Sequence, residues 1–308
     1  MPPAPPPQSR TGIAYAIAAY AVWGGFPLYF VLLAPASAFE VVAFRILMSL
    51  VLCALLLVAT RGGARFAALI RDRRVALLML AAAVAIYLNW LIYIFAVLAG
   101  HVIEASLGYF INPLVTVLLG VLVLREKVRP AQWIAIGIAA VAILVIVIGY
   151  GSFPRIALVL AFTFAAYGLI KRVVGPKVDA LGGLTLETAW LAPLAVVQLV
   201  LVGTVGGGLE FGANGAGHTV AMLAAGIVTT VPLLLFAAGA RRIPLVALGM
   251  TQFLTPVLQF LVGLLVFHEA MPAERWIGFA LVWVALIVLM ADMIRAGRPP
   301  RRGSLERV

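Results

Sequence analysis

The stretch SLGYFINPLVTVLLGVLVLREKVRPAQWIAIG, residues 106–137, returns 143 positions later as GMTQFLTPVLQFLVGLLVFHEAMPAERWIGFA, residues 249–280. Pro113 answers Pro256, Gly120 answers Gly263, Glu126 answers Glu269, Trp133 answers Trp276 and Ile134 answers Ile277. An offset one residue longer aligns Tyr20, Trp23 and Gly24 with Phe164, Tyr167 and Gly168, so whole halves of roughly 145 residues are repeated. A duplication on this scale means that the fold is one unit used twice.

The composition says where that unit resides. The 308 residues are 65% hydrophobic and 11% charged, with a mean hydropathy of +1.16, against roughly 45–50% apolar and 25% charged in a soluble domain. The chain is therefore expected to be an all-α membrane protein. Apolar runs fall near 12–32, 39–59, 75–98, 103–123, 131–149, 155–171, 183–203, 218–240, 245–267 and 274–292, which predicts ten transmembrane helices. Each run is continuous over about 20 residues, the length of a helical span, rather than alternating over about 10 as in a barrel strand. The first run, from Gly12 to Leu33, exceeds the apolar region of a signal peptide and is expected to be retained as a span. Cys53 is the only cysteine, so no disulfide framework and no thiolate metal site is expected.

Charge orients the spans. If both termini share one side, 19 of the 22 Lys and Arg lie on it, in both tails and in the loops that carry Arg61 to Arg74, Arg125 to Arg129, Lys171 to Lys177, and Arg241 with Arg242. Only Arg155 and Arg275 fall opposite, and Arg45 lies inside a span. The positive-inside rule then places both termini of a multi-pass membrane protein in the cytoplasm. The net charge of +11 is explained by these loops, so no nucleic-acid partner is expected; the partner is the lipid bilayer.

Five spans per half is an odd number, so the second half must run inverted relative to the first. The loop REKVRP after the fourth run is basic, while its echo HEAMPAER after the ninth is rich in acid. Inverted repeats recur in secondary transporters, because one unit then supplies two gates of opposite facing around a central site. The expected segments are a disordered tail over 1–10, a first five-helix repeat over 11–149, a second over 150–294 and a basic cytoplasmic tail over 295–308.

Three motifs, IEASLGYFINPL (103–114), ETAWLAP (187–193) and GIVTTVPLL (226–234), carry a resemblance to the RarD family. That family comprises bacterial members of the drug/metabolite transporter superfamily, built from two EamA-type repeats. The resemblance runs from about residue 11 to 294. It implies a ten-helix inner-membrane permease for a drug or metabolite; the family takes its name from an association with chloramphenicol sensitivity.

Polar residues inside the spans mark where such a permease would act, since an ionisable side chain in hydrocarbon is costly and normally faces a cavity or a partner. Arg45 sits near the outer end of the second run and Glu104 opens the fourth on that same side, so the two are placed to pair. Glu104, Gly108 and Asn112 recur at i, i+4 and i+8 and share a helical face, with Gly108 leaving room for a ligand or a neighbouring helix. This set reads either as an outer substrate or proton site or as a structural ion pair that closes the outer side. Near the inner side, Glu187 opens the seventh run with Trp190 three residues on, while Lys171 and Arg172 end the sixth, which reads as a coupling site or an interfacial salt bridge.

Asn89 and Tyr93 share a face of the third run with Trp90 beside them, and Trp23, Tyr109, Thr229, Thr230 and Gln252 are further pocket candidates. Packing competes with function at Trp23, and bonding to helix carbonyls competes at the two threonines. Pro113 and Pro256 fall inside apolar runs, where proline removes a backbone hydrogen bond, and are expected to kink their helices, as gate hinges or as static bends. Glu126 and Glu269 are expected to fix helix ends.

No GxxxxGK sequence is present, and His268-Glu269 lacks the second histidine of HExxH, so neither ATP-driven pumping nor metalloprotease chemistry is expected, and no cofactor or metal is implied. The expected function is secondary transport of a small organic solute by alternating access, with energy from a proton or solute gradient. A polytopic membrane enzyme and a non-transporting assembly factor are the alternatives. Ten helices suffice for a monomer to enclose its own path, and a homodimer is equally open.

Overall fold

A computed structural model describes residues 10–125, 129–150, 153–174, 177–240, 242 and 251–296. Every regular element among them is helical. In chain order these are α1 (Arg10–Gly24), α2 (Phe26–Val31), α3 (Ala38–Ala59), α4 (Gly63–Arg71), α5 (Arg73–Leu98), α6 (Val102–Leu124), α7 (Pro130–Tyr150), α8 (Arg155–Val174), α9 (Ala180–Thr204), α10 (Gly215–Ala240), α11 (Leu254–Leu261) and α12 (Ala273–Ala296). Counting α1 with α2 as one, eight helices are long and apolar enough to cross a membrane, and a shorter apolar helix covers Leu254–Val266. Exposed apolar side chains such as Leu122, Ile148 and Leu55 cover their outer faces, as lipid contact requires and water does not tolerate.

The observed helices begin and end within a few residues of the apolar runs, and three local features depart from that pattern. The first run is broken at Gly25, where Pro27 opens α2. Between the second and third runs, α4 is a short helix that buries Leu69 and packs Phe66 with it while exposing Arg65 and Arg71, the habit of an interfacial helix. The ninth run is interrupted at Gln252 and Phe253, and α11 passes into a π-turn over Val262–Val266. Pro256 explains the interruption: it lies in the first turn of α11, where its missing N–H costs nothing but cannot bond back to residue 252. Pro113, its repeat partner, lies within α6, which runs unbroken from Val102 to Leu124, so at this pair only the second copy interrupts its helix.

Both copies of the repeat still stop at the same place. Arg125 after α6 and His268 after the π-turn adopt left-handed backbone, with φ of 55° and 52°, and they stand 143 residues apart. For residues other than glycine this conformation is uncommon, so its recurrence at matched positions records one helix ending used twice.

The helices pack as pairs drawn from the two halves. The most extensive pairs join α7 to α12, α6 to α8, α3 to α9, α5 to α8, α1 to α10 and α3 to α10, and further pairs join α5 to α9 and α11 to both α1 and α6. Glycines allow the closest crossings, as small residues do where lipid supplies no hydrophobic drive between helices. A Cβ on Gly108 would stand 2.7 Å from the Ala157 carbonyl oxygen of α8, and one on Gly226 would enter the Met48 carbonyl of α3. One core gathers Phe26, Phe30, Ile46, Trp90, Ile94 and Met222; a second gathers Phe110, Ala142, Phe260, Phe279, Val282 and Leu286.

Candidate functional site

The two ends of the bundle are held differently. At one end, where α3, α6, α8 and α10 begin, three carboxylates accept backbone N–H groups from the opposite half. Glu40, fully buried, accepts from Glu210 at 3.2 Å and Phe211 at 2.9 Å. Glu104 accepts from Ile156 in the first turn of α8 at 3.0 Å, and Glu269 accepts from Val102 and from Ile103, the latter at 2.9 Å, capping α6. Helix N-termini offer such unpaired donors together with a positive dipole end. Burial pushes the Glu269 carboxyl above its ordinary range, against the pull of these two N–H groups.

At the other end the halves are joined by exposed ion pairs. Arg129 grips Asp292, with Nη2 at 2.6 Å and Nε at 2.8 Å from Oδ2, and Lys177 reaches Asp72 at 2.9 Å. Lys177, and then the Val75 N–H, hold the Asp72 carboxyl below its ordinary range. Pairs of this kind contribute little, typically about 0–1 kcal/mol. A cleft of about 230 Å³ opens beside them, lined by Thr60, Arg65, Phe66, Asp179 and Leu234.

Between these ends lie two polar clusters. In the first, Arg45 on α3 is 5% exposed and donates from Nε to Thr229 Oγ1 on α10 at 2.9 Å. Its guanidinium lies 4.1 Å from the ring centre of Trp90, 5.2 Å from Phe26 and 5.6 Å from Phe30. The rings come from α2, just past the break at Gly25, and from α5, so that break sets the direction of the helix that carries Phe26 and Phe30. In the second cluster Glu187 on α9, 1% exposed, accepts from Lys171 at 2.8 Å and Tyr167 at 3.3 Å, both on α8. Thr230, fully buried on α10, stands beside Thr229 and meets Cys53 of α3 at 3.9 Å.

The other expected residues divide between site and scaffold. The expected pairing of Arg45 with Glu104 does not occur: Glu104 serves the N-terminus of α8, whose orphan N–H groups are nearer than the guanidinium. Gly108 makes room for a helix, α8, rather than for a ligand. Asn89 is fully engaged, donating to the Leu160 carbonyl and Thr163 Oγ1, both at 3.1 Å, and accepting from Tyr109 at 3.0 Å, so Asn89 and Tyr109 bind α5, α6 and α8 together. Tyr93 packs its ring 6.0 Å from Phe30 and 5.6 Å from Tyr109, yet its buried hydroxyl has no partner among the described residues. The Asn112 side-chain oxygen is likewise buried without a partner there.

Trp190 is 41% exposed and turns away from Glu187, which corrects its placement in the inner cluster: three residues along a helix is 60° short of a full turn, enough to carry a side chain to the lipid face. Gln252 is half buried at the interruption before α11 and joins neither cluster. Trp23 belongs to packing, in an aromatic group with Tyr20 and Phe236. Glu269 fixes the start of α6 rather than its own helix, and Glu126 lies outside the described residues.

Four participants escape a reading of the sequence or carry too little weight in it. Glu40 carries a signal, since Ser37-Ala38-Phe39-Glu40 has the form of a capping box and the Glu40 N–H does bond Ser37 Oγ. Phe26 and Phe30 have none, because only the break in the first span aims them. Thr229 was set against carbonyl bonding, whereas it accepts from Arg45.

A bundle of long apolar helices with buried charges between them defines a multi-pass membrane protein. The EamA-like transporter family matches residues 10–148. Protein RarD of Streptomyces exfoliatus is 48% identical over 96% of this chain and 92% of its own length. An uncharacterized transporter of Vibrio cholerae is 38% identical over 96% of this chain and 97% of its own. A solved crystal structure at 16% identity superimposes with a TM-score of 0.60 over 93% of this chain and 99% of the other, a likeness of fold alone. The chain belongs to the EamA/RarD transporter family.

Proposed function

We propose that the chain is an inner-membrane permease that moves a small organic solute by alternating access, through ten spans arranged as two inverted five-helix repeats with both termini cytoplasmic. In this reading α8 and the segment through α11 are the sixth and ninth spans. The observation that carries it is the exchange symmetry of the packing. Substituting each first-half helix by its second-half counterpart turns α6 with α8 into α11 with α1, α5 with α8 into α10 with α1, and α3 with α10 into α9 with α5. The pairs α3 with α9, α6 with α11 and α7 with α12 map onto themselves. A twofold relation of this kind around a shared interior is what two oppositely facing gates require.

The unequal ends support the same reading. The end that charge assigns to the outside is latched by Glu40, Glu104 and Glu269 onto backbone of the opposite half. The end assigned to the cytoplasm has exposed ion pairs and a cleft. We take this as the inward-leaning member of the cycle, with the Arg45 and Glu187 clusters as its polar stations. Glu187 is the candidate for coupling to protons, since intramembrane carboxylates serve in such relays.

Reconstitution into liposomes tests the proposal. Amino acids, metabolites and chloramphenicol are offered with and without a pH gradient. Saturable movement of at least one solute, lost in Glu187→Gln or made independent of the gradient, is expected. Absence of movement for every solute under every gradient overturns the proposal.

A further inference from the structure

Among the described residues Arg45 is a buried cation without a counter-charge. Among the described residues no carboxylate lies within ion-pair distance of it, only Nε is bonded, and Nη1 and Nη2 meet no acceptor. Ring faces surround the group, and aromatic faces attract a cation without offering the lone pairs that its N–H groups need. Phe30, whose ring centre lies 5.6 Å from the guanidinium, joins it to three phenols: the Tyr29 and Tyr93 rings stand 5.3 and 6.0 Å from that ring, and Tyr109 stands 5.6 Å from Tyr93. Tyr29 donates to the Ala221 carbonyl at 2.8 Å and Tyr109 to Asn89 at 3.0 Å. The Tyr93 hydroxyl, on a residue 3% exposed, is left with no partner among the described residues.

We infer that Arg45 and the Tyr93 hydroxyl receive the carboxylate of a small organic monoanion, whose apolar body lies among the rings that surround them. The charge count selects a monoanion: one uncompensated positive charge is neutralised by one negative charge, whereas a phosphate dianion would leave a buried charge unpaired. The donor count agrees, because the free end of a guanidinium presents paired N–H groups that match a carboxylate, and a phenol O–H can serve a remaining lone pair. The rings supply apolar area with little loss of side-chain freedom. Glu187 differs in already having Lys171 and Tyr167, so it needs no ligand to be satisfied. Taking the bound anion as the transported solute rests on the permease reading; the binding itself does not.

The test is binding to the full chain, purified in detergent without any gradient. Benzoate, phenylacetate and hexanoate are each compared with their amides, which match in shape and lack the charge, by thermal stabilisation and by tryptophan fluorescence. At least one acid is expected to bind about tenfold or more tightly than its amide, the strength of a charge-assisted hydrogen bond. Arg45→Gln should abolish that preference. Tyr93→Phe, which keeps the ring and its packing, should reduce it by about threefold to tenfold with amide binding unchanged.

Equal binding of all acid and amide pairs overturns the inference, as does a preference that survives Arg45→Gln. If Arg45→Gln fails to fold, an unchanged ratio in Tyr93→Phe overturns it alone. Phenyl phosphate binding as tightly as benzoate refutes the choice of a monoanion. A chain that selects the acid but moves no solute in liposomes refutes the permease and leaves the site standing; the converse result refutes the site and leaves the permease.

Discussion

Gly226 is the position where one methyl group should do most damage. In Gly226→Ala the new Cβ would lie 2.6 Å from the Met48 carbonyl carbon, closer still to its oxygen, and 3.0 Å from the Met48 Cβ. Ordinary contact begins at 3.4 Å, and the obstacle is backbone, so α3 and α10 must part by about 1 Å, at an overpacking cost of roughly 1–3 kcal/mol. Arg45 lies three residues before Met48 and Thr229 three residues after Gly226, so the same parting stretches their 2.9 Å bond. Loss of a hydrogen bond to a charged group costs about 1.5–3 kcal/mol, and the better helix propensity of alanine returns about 1. The net expectation is a destabilisation of about 2–4 kcal/mol, the components overlapping. Gly137→Ala is the control: it is exposed on α7 with no atom within 4 Å of its Cβ, and should be stabilising by about 0.5–1 kcal/mol. Unfolding of both variants in detergent, followed by tryptophan fluorescence, measures the difference. A Gly226→Ala protein as stable as Gly137→Ala would refute the backbone-contact account of this crossing.

Other perturbations separate the remaining features. Lys171→Met strands the Glu187 carboxylate, whose side chain is 2% exposed, and should cost about 3–5 kcal/mol. Glu187→Gln should cost less, because the Lys171 side chain is 29% exposed and its flexible stem can turn to the headgroups; the double variant should recover most of the loss in a mutant cycle. Glu269→Ala should cost roughly 1–2 kcal/mol and release the Val102 and Ile103 amides to hydrogen exchange; unchanged protection there would contradict the cap. Asp72 has a lowered folded-state value, so its contribution is complete above the unfolded value of about 3.9 and is lost as pH falls through the lower folded value. The melting difference between the parent and Asp72→Asn should therefore be constant near neutrality and shrink in acid; a difference that grows in acid contradicts that sign.

Span positions were legible because hydrocarbon thickness dictates run length, and the boundaries of α3, α5, α7 and α9 fall within three residues of those runs. The charged contacts were not. Arg45 and Glu104 are complementary and begin their helices at one end, yet each chose a partner that no linear pattern displays, Thr229 at a separation of 184 residues and the Ile156 amide at 52. Backbone donors are invisible to a reading of side-chain types, and Glu40, Glu104 and Glu269 all use them. Trp190 shows the limit of i+3 reasoning, where a shared face at the level of sequence became opposite exposure.

The helix pairing has a consequence for how the molecule is made. Each core draws on both copies: the first joins Phe30 and Trp90 to Leu191 and Met222, the second joins Phe110 and Ala142 to Phe279 and Leu286. A ribosome delivers the copies in succession, so the helices of the first half wait in the bilayer with their inner faces unmatched until those of the second half arrive. The duplicated gene thus encodes two halves that are separate in sequence and inseparable in assembly. A chain cut in the loop after α7 would be expected to regain its fold only when both fragments are present in one membrane, each serving as the other's template.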